Sequence, residues 1–181
     1  MQPFWKMVTG RQLDASIRMF EDAVRRCPDE LWTESMWPDD SMPPAFSAVW
    51  YVVYHTLFWL DLYLSGAVEG FAPPAPFTLA ELDPAGVLPD RVYDRAELLA
   101  YLDHCRRKGR AVIEAMTDEQ AARLCSFPWG ELPFAELLLD NMRHVQEHGA
   151  QLRLFLGQRA GQSARWLRSE EHTSELQSHA C

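Results

Sequence analysis

The feature that most constrains the fold is an apolar segment at residues 45–64, where Trp, Tyr, Phe, Val and Leu occur on nearly every side of a helical projection. The segment is too long for a typical buried strand, and Ser65 and Gly66 follow it as a stop signal, so it predicts a helix. A helix that is apolar on all sides needs neighbours on all sides. The sequence therefore predicts a helical bundle around this segment.

Three more segments show helical patterns. In the first, apolar residues recur at helical spacing and end before Pro28: Leu13, Ile17, Phe20, Val24 and Cys27. Asp94 and Glu97 form a capping-box pattern that opens the next helix, with a core line at Leu98, Leu102, Cys105, Val112 and Met116. The last segment begins near Pro133 and runs to Gly157.

The connections complete the predicted topology. A proline-rich stretch at residues 71–89 joins helices two and three and is long enough to cross from one end of a bundle to the other. Thr117 and Gln120 predict a short extra helical turn. We predict an all-α four-helix bundle with a long crossover between helices 2 and 3, and strand content close to zero.

Charge and cysteine usage limit the partners and the compartment. Lys and Arg total 17 against 26 Asp and Glu, and a net charge of -9 argues against nucleic acid and anionic membranes as partners. His55 lies near the middle of the apolar segment and Asp61 in its last turn, so a membrane span is disfavoured. The four scattered cysteines and the lack of a basic, then apolar leader predict a cytoplasmic protein with reduced thiols.

The C-terminal tail differs from the rest of the chain. Residues 168–179 resemble the in-frame translation of a common sequencing adapter. We therefore assign residues 1–167 to one helical-bundle domain and residues 168–181 to an artefactual, disordered tail. On this assignment His172, His179 and Cys181 carry no function.

The remaining histidines predict a metal site. His144 and His148 are four residues apart, so on a helix they lie one turn apart on one face that also carries Leu152 and Phe155. His55, at the centre of the apolar helix, is the candidate third ligand. Three neutral imidazoles with an open position suit Zn²⁺ or Ni²⁺. His104, beside three basic residues, is expected on the polar side of its helix.

Other interpretations of the same residues stay open at this point. His55 can be a core histidine bonded to a carbonyl or a tyrosine, and His144 with His148 can be a solvated pair, because an isolated HxxxH is a weak signal. The string HVQEH at residues 144–148 matches the HxxEH pattern of metal-dependent hydrolases, with Glu147 as the candidate base. That family needs a further ligand well downstream, and little sequence follows His148. Trp50 and Trp59 bracket His55 and are expected to pack in the core, with Trp50 and Tyr54 as alternative candidates to line a pocket at the metal.

Two segments together resemble the DinB/YfiT-like superfamily. They are VWYVVYH at residues 49–55 and NMRHVQEHGAQL at residues 141–152, and the order of elements also agrees. The resemblance spans roughly residues 7–157. It implies a four-helix bundle whose histidine triad, here His55, His144 and His148, binds a divalent metal such as zinc or nickel. Since several members are dimers, it also implies a homodimer.

The resemblance extends less specifically to activity. Characterised members include metal-dependent thiol transferases, which implies a small-molecule substrate, a low-molecular-weight thiol, held as thiolate by the metal. Glu147 is then at most a base or an outer partner of the site. The contrasting hypotheses are a non-catalytic bundle or dimerisation module that the metal stabilises, and a metal-dependent hydrolase. An open coordination position favours catalysis, and a closed shell favours structure.

Overall fold

The structure, a computed structural model, describes residues 4–38, 42–163 and 166–167, and this part of the chain is mostly helical. In chain order the elements are α1 (Phe4–Arg26), α2 (Val49–Ser65), α3 (Arg95–Ala115), α4 (Asp118–Ala122), β1 (Leu124–Phe127), β2 (Gly130–Pro133) and α5 (Phe134–Ala160). Short 3₁₀ turns lie at Asp29–Leu31, Pro44–Ser47 and Ala80–Leu82. The all-α class predicted from the periodicities is confirmed.

The four long helices pack around one core. α1 packs against α3 and α5, and α2 packs against the same two helices. The largest side chains that are almost fully buried include Phe20 of α1, Tyr54 and Phe58 of α2, and Tyr101 of α3. Nearly every residue of α2 is buried, as its all-round apolar sequence predicts.

The contacts between α2 and α3 show how the long connection directs the chain. The Trp50 ring lies 6.2 Å from that of Tyr93 at the start of α3, and the Cys105 thiol donates to the Leu57 carbonyl. Farther along both helices, Gly109 packs against Leu64. Because the contacts advance in the same direction along both helices, α2 and α3 are parallel, and the connection between them returns the chain to the end where α2 began.

Helix boundaries differ modestly from the predicted ones. α1 extends back to Phe4, α2 begins only at Val49 after a 3₁₀ turn, and α5 continues past Gly157. The left-handed residue that ends α5 is Gly161, with φ of 62°. Both predicted capping boxes are present, at Asp94 and at Thr117.

The prediction of almost no strand was wrong at residues 124–133. β1 and β2 form an antiparallel hairpin in which Phe127 pairs with Gly130 across a two-residue turn. Cys125 and Phe127 of β1 face the core while Leu124 and Ser126 face solvent. This alternation spans only four residues, too few for a reliable strand signal in the sequence.

Two other expectations concern the chain as a whole. Within the described ranges, no helix combines the length and the apolar character needed to cross a membrane. Cys27, Cys105 and Cys125 are buried, free cysteines. The tail assigned to residues 168–181 lies outside the described residues.

Candidate metal centre

The structure brings together the three histidines that the sequence singled out. His55 comes from α2, and His144 and His148 come from successive turns of α5. One nitrogen from each ring can be chosen so that all three lie within 4.8 Å of one another. The ring centroids are 5.3 Å apart for His55 and His144, 5.2 Å for His55 and His148, and 4.6 Å for the pair on α5. The three side chains therefore form one cluster that could hold a metal ion.

The separation of the two closest nitrogens fits a tetrahedral ion. His55 Nε2 and His144 Nε2 are 3.3 Å apart. Two nitrogens that each lie about 2.0–2.1 Å from one zinc ion at a tetrahedral angle are themselves about 3.3 Å apart. A hydrogen bond between the two rings gives a similar separation, so the distance fits a metal without requiring one.

A buried carboxylate fixes the orientation of His55. His55 Nδ1 lies 2.7 Å from Glu81 Oε2, and the same oxygen accepts a hydrogen bond from Trp59 Nε1 at 2.9 Å. The Glu81 side chain is only 4% exposed. Burial raises the pKa of Glu81, but the hydrogen bond and charge of His55, with smaller contributions from Tyr51 and Trp59, lower it overall. An ionised Glu81 accepts a hydrogen bond from the Nδ1–H group of His55 and so leaves the Nε2 lone pair for a metal.

The two histidines of α5, His144 and His148, are also prepared to bind a metal. His148 Nδ1 lies 2.8 Å from Gln151 Oε1, so the amide can hold the Nδ1 proton and leave Nε2 as the donor atom. Burial, together with repulsion from His148 and His55, lowers the pKa of His144 to about 3. Burial and His55 also lower the pKa of His148. Both rings are therefore neutral near pH 7, and the neutral ring is the form that binds metals.

Several neighbours of the cluster were not found from the sequence. Glu81 lies 26 residues after His55 in an irregular connection, where no periodicity relates the two. Gln151 was visible as part of the HxxxHxxQ spacing on α5, but its role as a hydrogen-bond partner of His148 was not predicted. Tyr51 and Trp59, one turn before and after His55, lie beside the ring, with centroids 6.3 Å from it in both cases.

Other candidates from the sequence lie elsewhere. Trp50 and Tyr54, proposed to line the pocket, are 5% and 0% exposed and pack into the core. His104 is partly exposed on α3 and lies 3.4 Å from the buried carboxylate of Asp61. Glu147 is exposed on α5, and its charge only slightly offsets the lowering of the His148 pKa.

The fold and the site together define a helical protein with a candidate three-histidine metal centre between two helices. The family model of the DinB superfamily matches residues 12–152, and the chain belongs to this superfamily. All three histidines lie within the matched region. The family is metal-associated, which agrees with the cluster.

Comparison with solved structures supports the fold. A crystal structure described as the conserved protein of a locus from Enterococcus faecalis aligns with a TM-score of 0.63 and 16% sequence identity. The alignment covers 90% of this chain and 99% of that one. No curated protein matches the sequence.

Proposed function

We propose that the chain is a metal-dependent transferase that binds one Zn²⁺ or Ni²⁺ at His55, His144 and His148 and acts on a low-molecular-weight thiol. The observation that carries the proposal is the convergence of three imidazoles. In two of them, those of His55 and His148, Nδ1 lies within hydrogen-bond distance of a side-chain oxygen. We further infer that the four long helices form the four-helix bundle typical of the superfamily, with the connection from α2 to α3 as its crossover.

An open side of the cluster supports a catalytic rather than a purely structural ion. Three nitrogen ligands leave a fourth tetrahedral position for a substrate. The His55 side chain is 31% exposed, so the cluster can be reached from solvent. As a Lewis acid, a divalent ion lowers the pKa of a thiol held at this position.

The chain's own residues would orient the ligands and handle protons. Glu81 keeps the His55 proton on Nδ1, and Gln151 does the same for His148. Glu147 remains the candidate base, acting from the solvent side of α5. In the alternative of a metal-dependent hydrolase, Glu147 would activate water from the same position. The thiol reaction does not need a base for that purpose.

The cellular compartment and the oligomeric state are further parts of the proposal. A thiol substrate and the unpaired Cys27, Cys105 and Cys125 suit the reducing cytoplasm. We propose a homodimer on the basis of the superfamily resemblance, and light scattering after size-exclusion chromatography would measure the mass.

Metal analysis tests the centre directly. After dialysis against Zn²⁺ or Ni²⁺ and removal of excess ion, we expect roughly one equivalent in the wild type and almost none in the double variant His144→Ala/His148→Ala. The matched control is His104→Ala, which removes an imidazole outside the cluster and should retain the metal. Equal metal content in the wild type and the double variant would exclude the proposed centre.

Binding of a thiol distinguishes a catalytic metal ion from a purely structural one. With Co²⁺ in the site, binding of a small thiol such as 2-mercaptoethanol should produce the absorption band of a cobalt–thiolate bond. Metal that stays bound without such a band, combined with a large loss of thermal stability in His55→Ala, would favour the structural alternative.

A further inference from the structure

Next to the histidine cluster, the surface of α2 continues as a row of aromatic side chains. His55, Trp59 and Tyr63 are spaced four residues apart, so they lie on one face of α2. The Trp59 ring is 6.3 Å from His55 and 5.4 Å from Tyr63. The hairpin extends the row, because Phe127 and Trp129 lie 5.2 Å and 6.0 Å from Tyr63. We call Trp59, Tyr63, Phe127 and Trp129 the aromatic strip.

Trp129 is exposed and yet held in place. The residue is 51% exposed, whereas Phe127 and Tyr63, which its ring contacts, are 7% and 8% exposed. One face of Trp129 stacks on Phe127 at 5.4 Å with an angle of 4° between the ring planes. Its Nε1 donates a hydrogen bond to the Tyr63 hydroxyl at 3.1 Å. A large aromatic residue that is about half exposed and fixed by two contacts is prepared for stacking, since little side-chain entropy remains to be lost.

A polar residue, Asp140, lies on the face of α5 that carries the histidines. Asp140 lies four residues before His144, one helical turn away, and forms an ion pair with Arg143 at 3.1 Å. Its charge contributes to the raised pKa of Tyr63, although burial is the larger cause. Because Asp140 is paired with Arg143, this ion pair adds no net charge beside the strip, and stacking on an aromatic ring does not require a charged partner.

We propose that the aromatic strip binds a planar, uncharged aromatic group of the substrate, while the other end of the same molecule reaches the histidine cluster. The connection to the metal rests on the proposed function, but binding of the ring does not. Eight residues of helix separate His55 from Tyr63, which corresponds to about 12 Å along the α2 axis. Trp129 lies beyond Tyr63, with 6.0 Å between the two ring centroids, so the preferred substrate carries its ring and its reacting group at least on this order of distance apart, with Trp129 contacting the ring.

The first test uses 2-naphthol, a planar probe without a thiol, and metal-free protein. We expect the probe to shift the NMR signal of the Trp129 indole N–H, which the variant Trp129→Phe identifies by its loss. The affinity should fall about threefold to tenfold in Trp129→Ala, the range expected for one stacking contact. Leu124→Ala is the matched control because Leu124 is an exposed apolar residue of the same hairpin, and its affinity should equal that of the wild type.

The indole signal keeps the test decisive even if Trp129→Ala disturbs the hairpin, because it is measured on the wild type. Trp129→Leu offers a second variant that keeps apolar bulk but cannot stack. Absence of an indole shift, or equal 2-naphthol affinity in the wild type and a folded Trp129 variant, would overturn the inference.

A second set of probes separates this inference from the proposed function. In naphthyl thiols with alkyl linkers of increasing length, affinity for the metal-loaded protein should pass through a maximum at one length. The double variant His144→Ala/His148→Ala should lose that maximum but keep its affinity for 2-naphthol. Retained 2-naphthol binding without any gain from the thiol would refute the thiol function alone. Binding of 2-mercaptoethanol to the metal without binding of 2-naphthol would refute the aromatic site alone.

Discussion

Glu81 offers the sharpest test of how the cluster is organised, and the informative change is Glu81→Gln. Glutamine keeps the shape of the side chain and can still accept a hydrogen bond from His55 Nδ1, but it removes the negative charge. In the wild type, Oε2 accepts from both His55, at 2.7 Å, and Trp59, at 2.9 Å. The variant thus tests the charge of the carboxylate and largely preserves the packing.

The expected effect follows from these contacts. The bond to Trp59 exists with and without metal, so its contribution largely cancels when affinities are compared. The bond to His55 strengthens when the imidazole ligates a cation, and a hydrogen bond to a charged group exceeds a neutral one by about 1–2 kcal/mol. Outer partners of ligating histidines generally change metal affinity by about tenfold to a hundredfold. We therefore expect Zn²⁺ affinity to fall by about tenfold to a hundredfold in Glu81→Gln.

The assay is competition for Zn²⁺ against a chromophoric chelator, with unfolding measured in parallel to confirm that the metal-free variant is folded. Glu69→Gln is the control, because Glu69 is an exposed glutamate of the same connection. Since the Glu81 pKa is lowered from 4.5, the carboxylate is already ionised at pH 6. The difference between wild type and variant should thus be constant from pH 6 to 8. Equal affinity in Glu81→Gln and wild type would show that the carboxylate does not tune the centre.

Three further predictions concern stability. Folding lowers the pKa of His144 from near 6.5 to about 3, so below pH 6.5 the unfolded chain binds more protons than the folded one. From pH 7 to pH 5 the metal-free wild type should therefore lose about 2 kcal/mol more unfolding free energy than His144→Leu, as measured by urea unfolding. An equal loss in the two proteins would contradict this prediction. Lys108→Ala leaves Asp61 buried without its cation and should cost about 3 kcal/mol, whereas the exposed Arg107→Ala should cost little. Asp94→Ala removes a capping box and should cost about 1 kcal/mol, seen as a lower Tm.

The helices and the candidate cluster of three histidines were predictable because their signals are local. The spacing of four between His144 and His148 fixes their common face once the segment is helical, and the apolar surroundings of His55 place it within the bundle. Gly161 rather than Gly157 ended α5, since a glycine within a well-packed helix costs only about 1 kcal/mol and does not by itself stop the helix.

The partners that complete the site depend on non-periodic parts of the chain. Glu81 reaches His55 from a 3₁₀ turn in the long connection, and Trp129 reaches Tyr63 from a two-residue hairpin turn. Nothing in the spacing of these residues indicates a contact, because their positions are set by the packing of whole segments. A local pattern could therefore predict which histidines come together but could not predict the residues that orient them.

The residues beside the histidine cluster bear on which substrate the site accepts. The faces of α2 and α5 that carry the histidines also carry Trp59 and Asp140, each four residues from a histidine of the cluster, so we expect a substrate bound at the cluster to lie beside them. The farther end of such a substrate meets Trp129 in the exposed turn of the hairpin, whereas Cys125 and Phe127 of the same hairpin pack into the core. Changes in the hairpin can thus alter which molecule is bound without disturbing the three imidazoles. Replacing Pro128 and Trp129 with other residues should therefore change substrate preference while the metal affinity remains that of the wild type.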